Sequence, residues 1–157
     1  MKFIFKNNGS AINVAFVKSI NIGKVVYEDE NNYDEKFCVA VVLSDDTNEI
    51  ISREFDTDGE AEKYFAELVE NLNEDGVKFL LNHLGNMAIN FAFVKSISIE
   101  SVIYKNGEGE VHVAAEYPDE SDVVLKIFDL ENADENSKAA EKYLSKLIKK
   151  LNGGGAK

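Results

Sequence analysis

The chain has 157 residues, 45 % hydrophobic and 29 % charged, which suits one ordinary domain or two small ones. This composition excludes a disordered polymer, and no apolar run approaches the ~18 residues that span a bilayer. A formal net charge of −12 disfavours attraction to phosphate backbones and anionic membranes, and fits either plain solubility or a basic partner.

In chain order, Met1-Lys2-Phe3-Ile4-Phe5-Lys6-Asn7 turns polar too soon for a signal peptide, so a reducing cytoplasm is the expected setting. The next block, Ala11-Ile12-Asn13-Val14-Ala15-Phe16-Val17-Lys18-Ser19-Ile20-Asn21-Ile22, returns as Ala88-Ile89-Asn90-Phe91-Ala92-Phe93-Val94-Lys95-Ser96-Ile97-Ser98-Ile99. From Ala11 to Tyr27, 12 of 17 positions match residues 88–104. Lys2-Phe3-Ile4-Phe5 answers to Lys78-Phe79-Leu80-Leu81, and Ala61-Glu62-Lys63-Tyr64 to Ala140-Glu141-Lys142-Tyr143. Matched blocks in the same order indicate tandem duplication.

Within a copy, Ile12, Val14, Phe16, Ile20 and Ile22 share one parity, which predicts a strand with one buried face. Lys18 interrupts that face, as Lys95 does later, and a turn or bulge there would let the ammonium reach water. Phe37, Val39, Val41 and Leu43 alternate in a second strand, and residues 50–55 close the sheet. Val111–Tyr117 and Val123–Phe128 are the later counterparts. The aromatics Phe3, Phe16, Phe37, Phe79 and Phe93 read mostly as core. Cys38, alone of its kind and set in an apolar run, reads as a small buried hydrophobe.

A helix is predicted from Thr57-Asp58-Gly59-Glu60, where Thr57 and Glu60 have capping-box spacing. Its apolar stripe is Ala61, Phe65, Leu68, Val69 and Leu72, answered by Ala140, Leu144, Leu147, Ile148 and Leu151. The expected fold is therefore α+β: two copies of a four- to five-stranded antiparallel sheet plus C-terminal helix. Residues 1–76 and 77–152 form the copies, packed as one composite domain about a pseudo-twofold axis, and 153–157 form a disordered tail.

The chemistry-bearing residue types do not assemble into a known catalytic pattern. His83 and His112 fall at non-matching places and lack partners at zinc-ligand spacing. Ser19 and Ser96 recur, but no histidine accompanies Ser19. Gly107-Glu108-Gly109 lacks the helix that follows a phosphate-cradling loop. Asp56-Thr57-Asp58-Gly59-Glu60 with Glu67 imitates a calcium loop, yet the sixth position is not glycine and the helix begins inside it. Its counterpart, Asp129-Leu130-Glu131-Asn132, does not repeat the pattern. No cofactor, metal or catalytic role is expected. Asn13, Lys18, Ser19, Asn90, Lys95 and Ser96 are noted as duplicated polar positions.

Charge separates the copies. Residues 1–76 carry 7 basic and 17 acidic side chains, and residues 77–157 carry 10 and 12. The acid sits in Glu28-Asp29-Glu30, Asp34-Glu35 and Asp45-Asp46, with smaller groups at Asp119-Glu120 and Asp134-Glu135, and on the first helix at Glu60, Glu62, Glu67 and Glu70. The second helix instead carries Lys138, Lys142, Lys146, Lys149 and Lys150. Such acid expects a non-catalytic protein that docks on a basic protein surface, for instance a phage-type inhibitor mimicking nucleic acid against a DNA-handling or defence protein. Strand-rich repeats each closed by one helix also resemble PUR-repeat and whirly-type proteins. That resemblance implies single-stranded nucleic-acid binding, here through the lysine-rich second helix. Monomer and homodimer are both compatible with the sequence.

Overall fold

A computed structural model describes residues 2–129 and 133–153, the side chains of residues 133–137 excepted. Among these residues the protein is α+β, with three antiparallel sheets and two α-helices. The tail from residue 154 onward lies outside the described residues, as do residues 130–132 and the side chains of Asp134 and Glu135. The chain divides into two compact units, Met1–Phe91 and Ala92–Lys157.

The first unit opens with a hairpin of β1 (Phe3–Phe5) and β2 (Ala11–Asn13), Ile4 facing Ile12. Alternation along β1 turns Ile4 into the core and leaves Phe3 and Phe5 exposed, so Phe3 is not the core residue expected. The single strand expected through Ile12 and Ile22 is broken after Asn13. Its side-chain Oδ1 accepts the Ala15 N–H at 2.9 Å and caps a 3-10 turn over Val14–Phe16. The turn buries Val14 and swings Phe16 outward, 58 % exposed, which corrects its assignment to the core.

A long ribbon follows, β3 (Val17–Glu28) against β4 (Tyr33–Leu43). The register slips between Val17 and Ser19, so Lys18 is the extra residue of a bulge and its Nζ reaches Asp46 at 3.0 Å. Val39 and Val41 fall on the buried face, as their alternation predicts. β5 (Asn48–Ile50) pairs with β4, and Phe55 bridges to Phe37 further along.

α1 (Asp58–Glu74) covers the buried face with Phe65, Val69 and Leu72 in one core with Val17, Ile20, Val39 and Val41, and Ala61 is buried as well. Burying Phe65 alone stabilises by roughly 1.5–3 kcal/mol. Thr57 Oγ1 accepts the Glu60 N–H at 3.3 Å, and Glu60 Oε2 accepts the Asp56 N–H at 3.2 Å, so this acidic stretch serves as a helix cap. Gly76, at φ +92°, ends the helix in the left-handed region that favours glycine.

The chain then enters a second hairpin, β6 (Phe79–Leu81) and β7 (Met87–Asn90), with Leu80 facing Ile89. Its register matches that of the first hairpin: Phe79 opposes Asn90 as Phe3 opposes Asn13. Its surroundings differ. β7 pairs with β3, Ser19 opposite Ile89 and Asn21 opposite Met87, giving a five-stranded sheet in the order β5-β4-β3-β7-β6. Asn73 ties α1 to the hairpin, accepting the Phe79 N–H at 2.7 Å and donating to the Phe79 carbonyl at 3.2 Å. The sequence match begins near residue 77, whereas the compact unit extends to Phe91; the difference is this hairpin.

The second unit is a three-stranded sheet in the order β10-β9-β8, from β8 (Ser96–Ile103), β9 (Gly109–Glu116) and β10 (Asp122–Asp129). α2 (Ala133–Leu151) lies on it, and Val111, Val113 and Ala140 form a small core with Ile97, Ile99, Phe128, Tyr143 and Leu144. Ile148, expected in the helix stripe, is exposed, since a three-stranded sheet offers a narrower face than the stripe. Phe93 is half-buried.

Candidate functional site

The acidic residues separate into three places within the first unit. Glu28, Asp29, Glu30, Asp34 and Glu35 gather at the tip of the β3–β4 ribbon. Asp45 and Asp46 occupy the turn at the opposite end of β4, which is 11 residues long. At ~3.3 Å per residue the two ends lie roughly 35 Å apart. Glu60, Glu62, Glu67 and Glu70 are exposed along α1.

Internal partners remove several of these acids from the surface available to a ligand. Lys24 Nζ stands 3.2 Å from Glu35 Oε1, and the Tyr33 hydroxyl donates to the same carboxylate at 2.5 Å. The Tyr33 bond, with Lys24, holds the Glu35 carboxyl below its ordinary range, and the Tyr33 hydroxyl is raised in turn. Lys36 reaches Asp34 at 3.6 Å and also pairs with Asp56. Asp29 accepts backbone N–H bonds from Asn31 and Asn32 at 3.0 and 2.7 Å, which keep it ionised and fold the ribbon tip. Asp45 accepts from the Thr47 hydroxyl and amide, Asp46 pairs with Lys18, and Glu60 serves the helix cap. Among the described residues no ion pair engages Glu28, Glu30, Glu62, Glu67, Glu70 or Glu74.

Three of those glutamates rim a groove. Between α1 and the turn of the β6–β7 hairpin lies a depression of about 760 Å³, whose lining includes the apolar Phe65, Ala66, Val69, Leu81 and Leu84 and the acidic Glu62, Glu70 and Glu74. Leu84 is 70 % exposed at the hairpin turn, and Leu81 is exposed beside it. An apolar floor with an acidic edge suits an amphipathic cationic segment: apolar side chains enter the groove and lysines or arginines meet the rim.

The ribbon tip is the second exposed site. β7 accompanies β3 only over Ser19–Asn21, and β5 accompanies β4 only over Ala40–Val42. The outer ribbon is two-stranded, with Val26, Tyr27 and Tyr33 exposed among the acids. The Tyr27 hydroxyl bonds to Glu54, which raises its pKa.

Most of the duplicated polar positions have local structural partners. Asn13 caps its turn, whereas Asn90 is buried and its Nδ2 donates to the Val17 carbonyl at 2.9 Å. Ser19 is buried and accepts from Asn21 Nδ2 at 3.2 Å, while Ser96 is exposed. Lys95 approaches Glu116 at 3.6 Å. His112 Nε2 sits 2.7 Å from Glu110, and His83 is exposed in the hairpin turn. Cys38 is buried, and burial pushes its thiol pKa up, away from nucleophilic use. Among the described residues no group of three or more His, Cys, Asp or Glu gathers as a metal site. No described helix is long and apolar enough to cross a membrane.

No protein-family model, curated protein or solved structure matches the chain. Sequence reasoning found Glu62 and Glu70 by helix position, but missed Glu74, Leu81 and Leu84. The exposed leucines on a strand-turn edge, Leu81 and Leu84, were the available signal.

Proposed function

We propose that this chain is a non-catalytic interaction protein, built by tandem duplication, that docks on a basic partner in the cytoplasm through its acidic first copy. The observation that carries the reading is the groove beside α1, where exposed Leu81 and Leu84 stand next to Glu62, Glu70 and Glu74. Unsatisfied like charges around an apolar floor favour a cationic, amphipathic occupant, with apolar burial giving affinity and charge steering the encounter. The ribbon tip, with Glu28 and Glu30, adds a second acidic contact. An inhibitor that imitates nucleic acid on such a partner is one form of this function.

The test is titration of a lysine-rich amphipathic helical peptide by calorimetry. Binding should weaken with salt and be lost in Glu62→Lys/Glu70→Lys/Glu74→Lys, while Leu84→Ser lowers affinity at every salt concentration. Binding unchanged by the triple reversal removes the groove from the reading.

A second reading rests on Lys138, Lys142, Lys146, Lys149 and Lys150, all exposed on α2. Such a lysine face would hold single-stranded nucleic acid by phosphate contacts. A gel shift at low salt that is abolished by Lys142→Glu/Lys146→Glu/Lys149→Glu would support it, and no shift of single-stranded DNA or RNA would end it.

A further inference from the structure

The β3–β7 pairing within the first unit has a counterpart in the sequence that neither unit makes by itself. Residues 11–27 match residues 88–104, so β2 corresponds to β7 and β8 corresponds to β3. β7 and β3 are paired, but among the described residues β2 pairs with β1 alone and β8 with β9 alone. Both surfaces of the corresponding interface are therefore open edges of ladders.

Exposure follows this difference position by position. Ala88, Ile89 and Asn90 are buried in the five-stranded sheet; Ala11 is exposed and Ile12 and Asn13 are half-buried. Ser19 and Ile20 are buried under β7, while Ser96 is exposed and Ile97 half-buried. Ile22 donates its N–H to the Asn86 carbonyl at 3.1 Å, and its match on the open edge is Ile99. Ile4 and Val14 already anchor the first hairpin in its own unit, leaving the outer edge of β2 unpaired.

We propose that the β8 edge receives the β1–β2 hairpin of a second copy of this chain. The occupant is chosen by sequence: residues 2–13 have the strand composition and register of residues 78–90, which fill the corresponding place on β3. Transferring the register puts Ser96 opposite Ile12, Ile97 opposite Ala11 and Ser98 opposite Ser10 of the second copy. The completed sheet runs β10-β9-β8 and then the incoming β2 and β1, the counterpart of β5-β4-β3-β7-β6. Strand addition satisfies the open N–H and C=O groups that would otherwise template unspecific pairing. Reciprocal exchange between two chains closes a twofold dimer, and one-way exchange gives an open head-to-tail series.

Two single-site variants test the register. Ser10→Cys and Ser98→Cys, purified separately and mixed under mild oxidation, should give a disulfide-linked dimer that neither variant forms as efficiently alone. Sedimentation velocity of the unmodified chain should show a dimer, or a growing series of masses, at tens of micromolar. Ala11→Glu should return it to the monomer with an unchanged circular dichroism spectrum, because Ala11 is exposed in the single chain. A monomer at all concentrations with no mixed crosslink overturns the proposal. So does a crosslink at monomer mass in the Ser10→Cys/Ser98→Cys double variant, which would show the hairpin closing on its own chain.

Discussion

Strands β3 and β8 share the matched pair Ser-Ile, Ser19-Ile20 in one and Ser96-Ile97 in the other, yet Ile20 is fully buried and Ile97 is only half-buried. Both pair with a long neighbour on one side and lie under a helix. What separates them is a neighbouring hairpin: within the first unit β7 lies on the other side of β3, whereas within the second unit β8 is an edge strand beside β9. Identical side chains thus acquire different structural weight from a strand more than sixty residues away in sequence. Surface and core in this protein are decided by pairing as much as by hydrophobicity.

Paired substitutions probe that difference directly. Ile20→Ala should destabilise the chain by about 2–5 kcal/mol, and Ile97→Ala by clearly less, both read from urea unfolding. Equal costs would mean that β7 contributes little to the burial of Ile20. The next effect is at the asparagines. Asn90→Ala leaves the buried Val17 carbonyl without this donor and should cost about 1–3 kcal/mol, against about 1 kcal/mol for the turn cap lost in Asn13→Ala.

Alkaline pH gives a third comparison. Burial pushes the Tyr117 pKa from 10.0 up to about 12, so the folded state disfavours its phenolate. That stabilisation is complete below pH 10 and is lost as pH rises through about 12. Absorbance titration at 295 nm should show a late-titrating tyrosine in the native chain, and its disappearance in Tyr117→Phe identifies the group. The smallest effect belongs to the groove rim: Glu62→Lys or Glu70→Lys should each shift stability by no more than about 0.5 kcal/mol, since neither is engaged in an internal ion pair.

Much of this architecture was legible in the residue pattern. The parity of Val39 and Val41, the bulge at Lys18, the Thr57 cap and the stripe Ala61, Phe65, Val69 and Leu72 follow from local periodicity. The break after Asn13 was not legible, because Ile12, Val14 and Phe16 keep one parity through a 3-10 turn and only the side-chain cap reveals it. The partner of β7 was not legible either, since strand pairing across the chain leaves no spacing signal. The acids were visible as a list of positions. Their internal pairing with Lys18, Lys24 and Lys36, which narrows the surface to a few glutamates, depends on register.

The contact between Asn90 and Val17 spans 73 residues, and so sets a delay during synthesis. At ~5–20 residues per second, roughly 4–15 s pass between the emergence of Val17 and that of Asn90. Throughout that interval a nascent chain holds β3 with no hairpin beside it, as an edge strand like β8 in its own sheet. Two ribosomes reading one message would each present such an edge while a neighbouring chain already displays a complete first hairpin. Expression density, as well as sequence, would then influence which hairpin reaches β3 first.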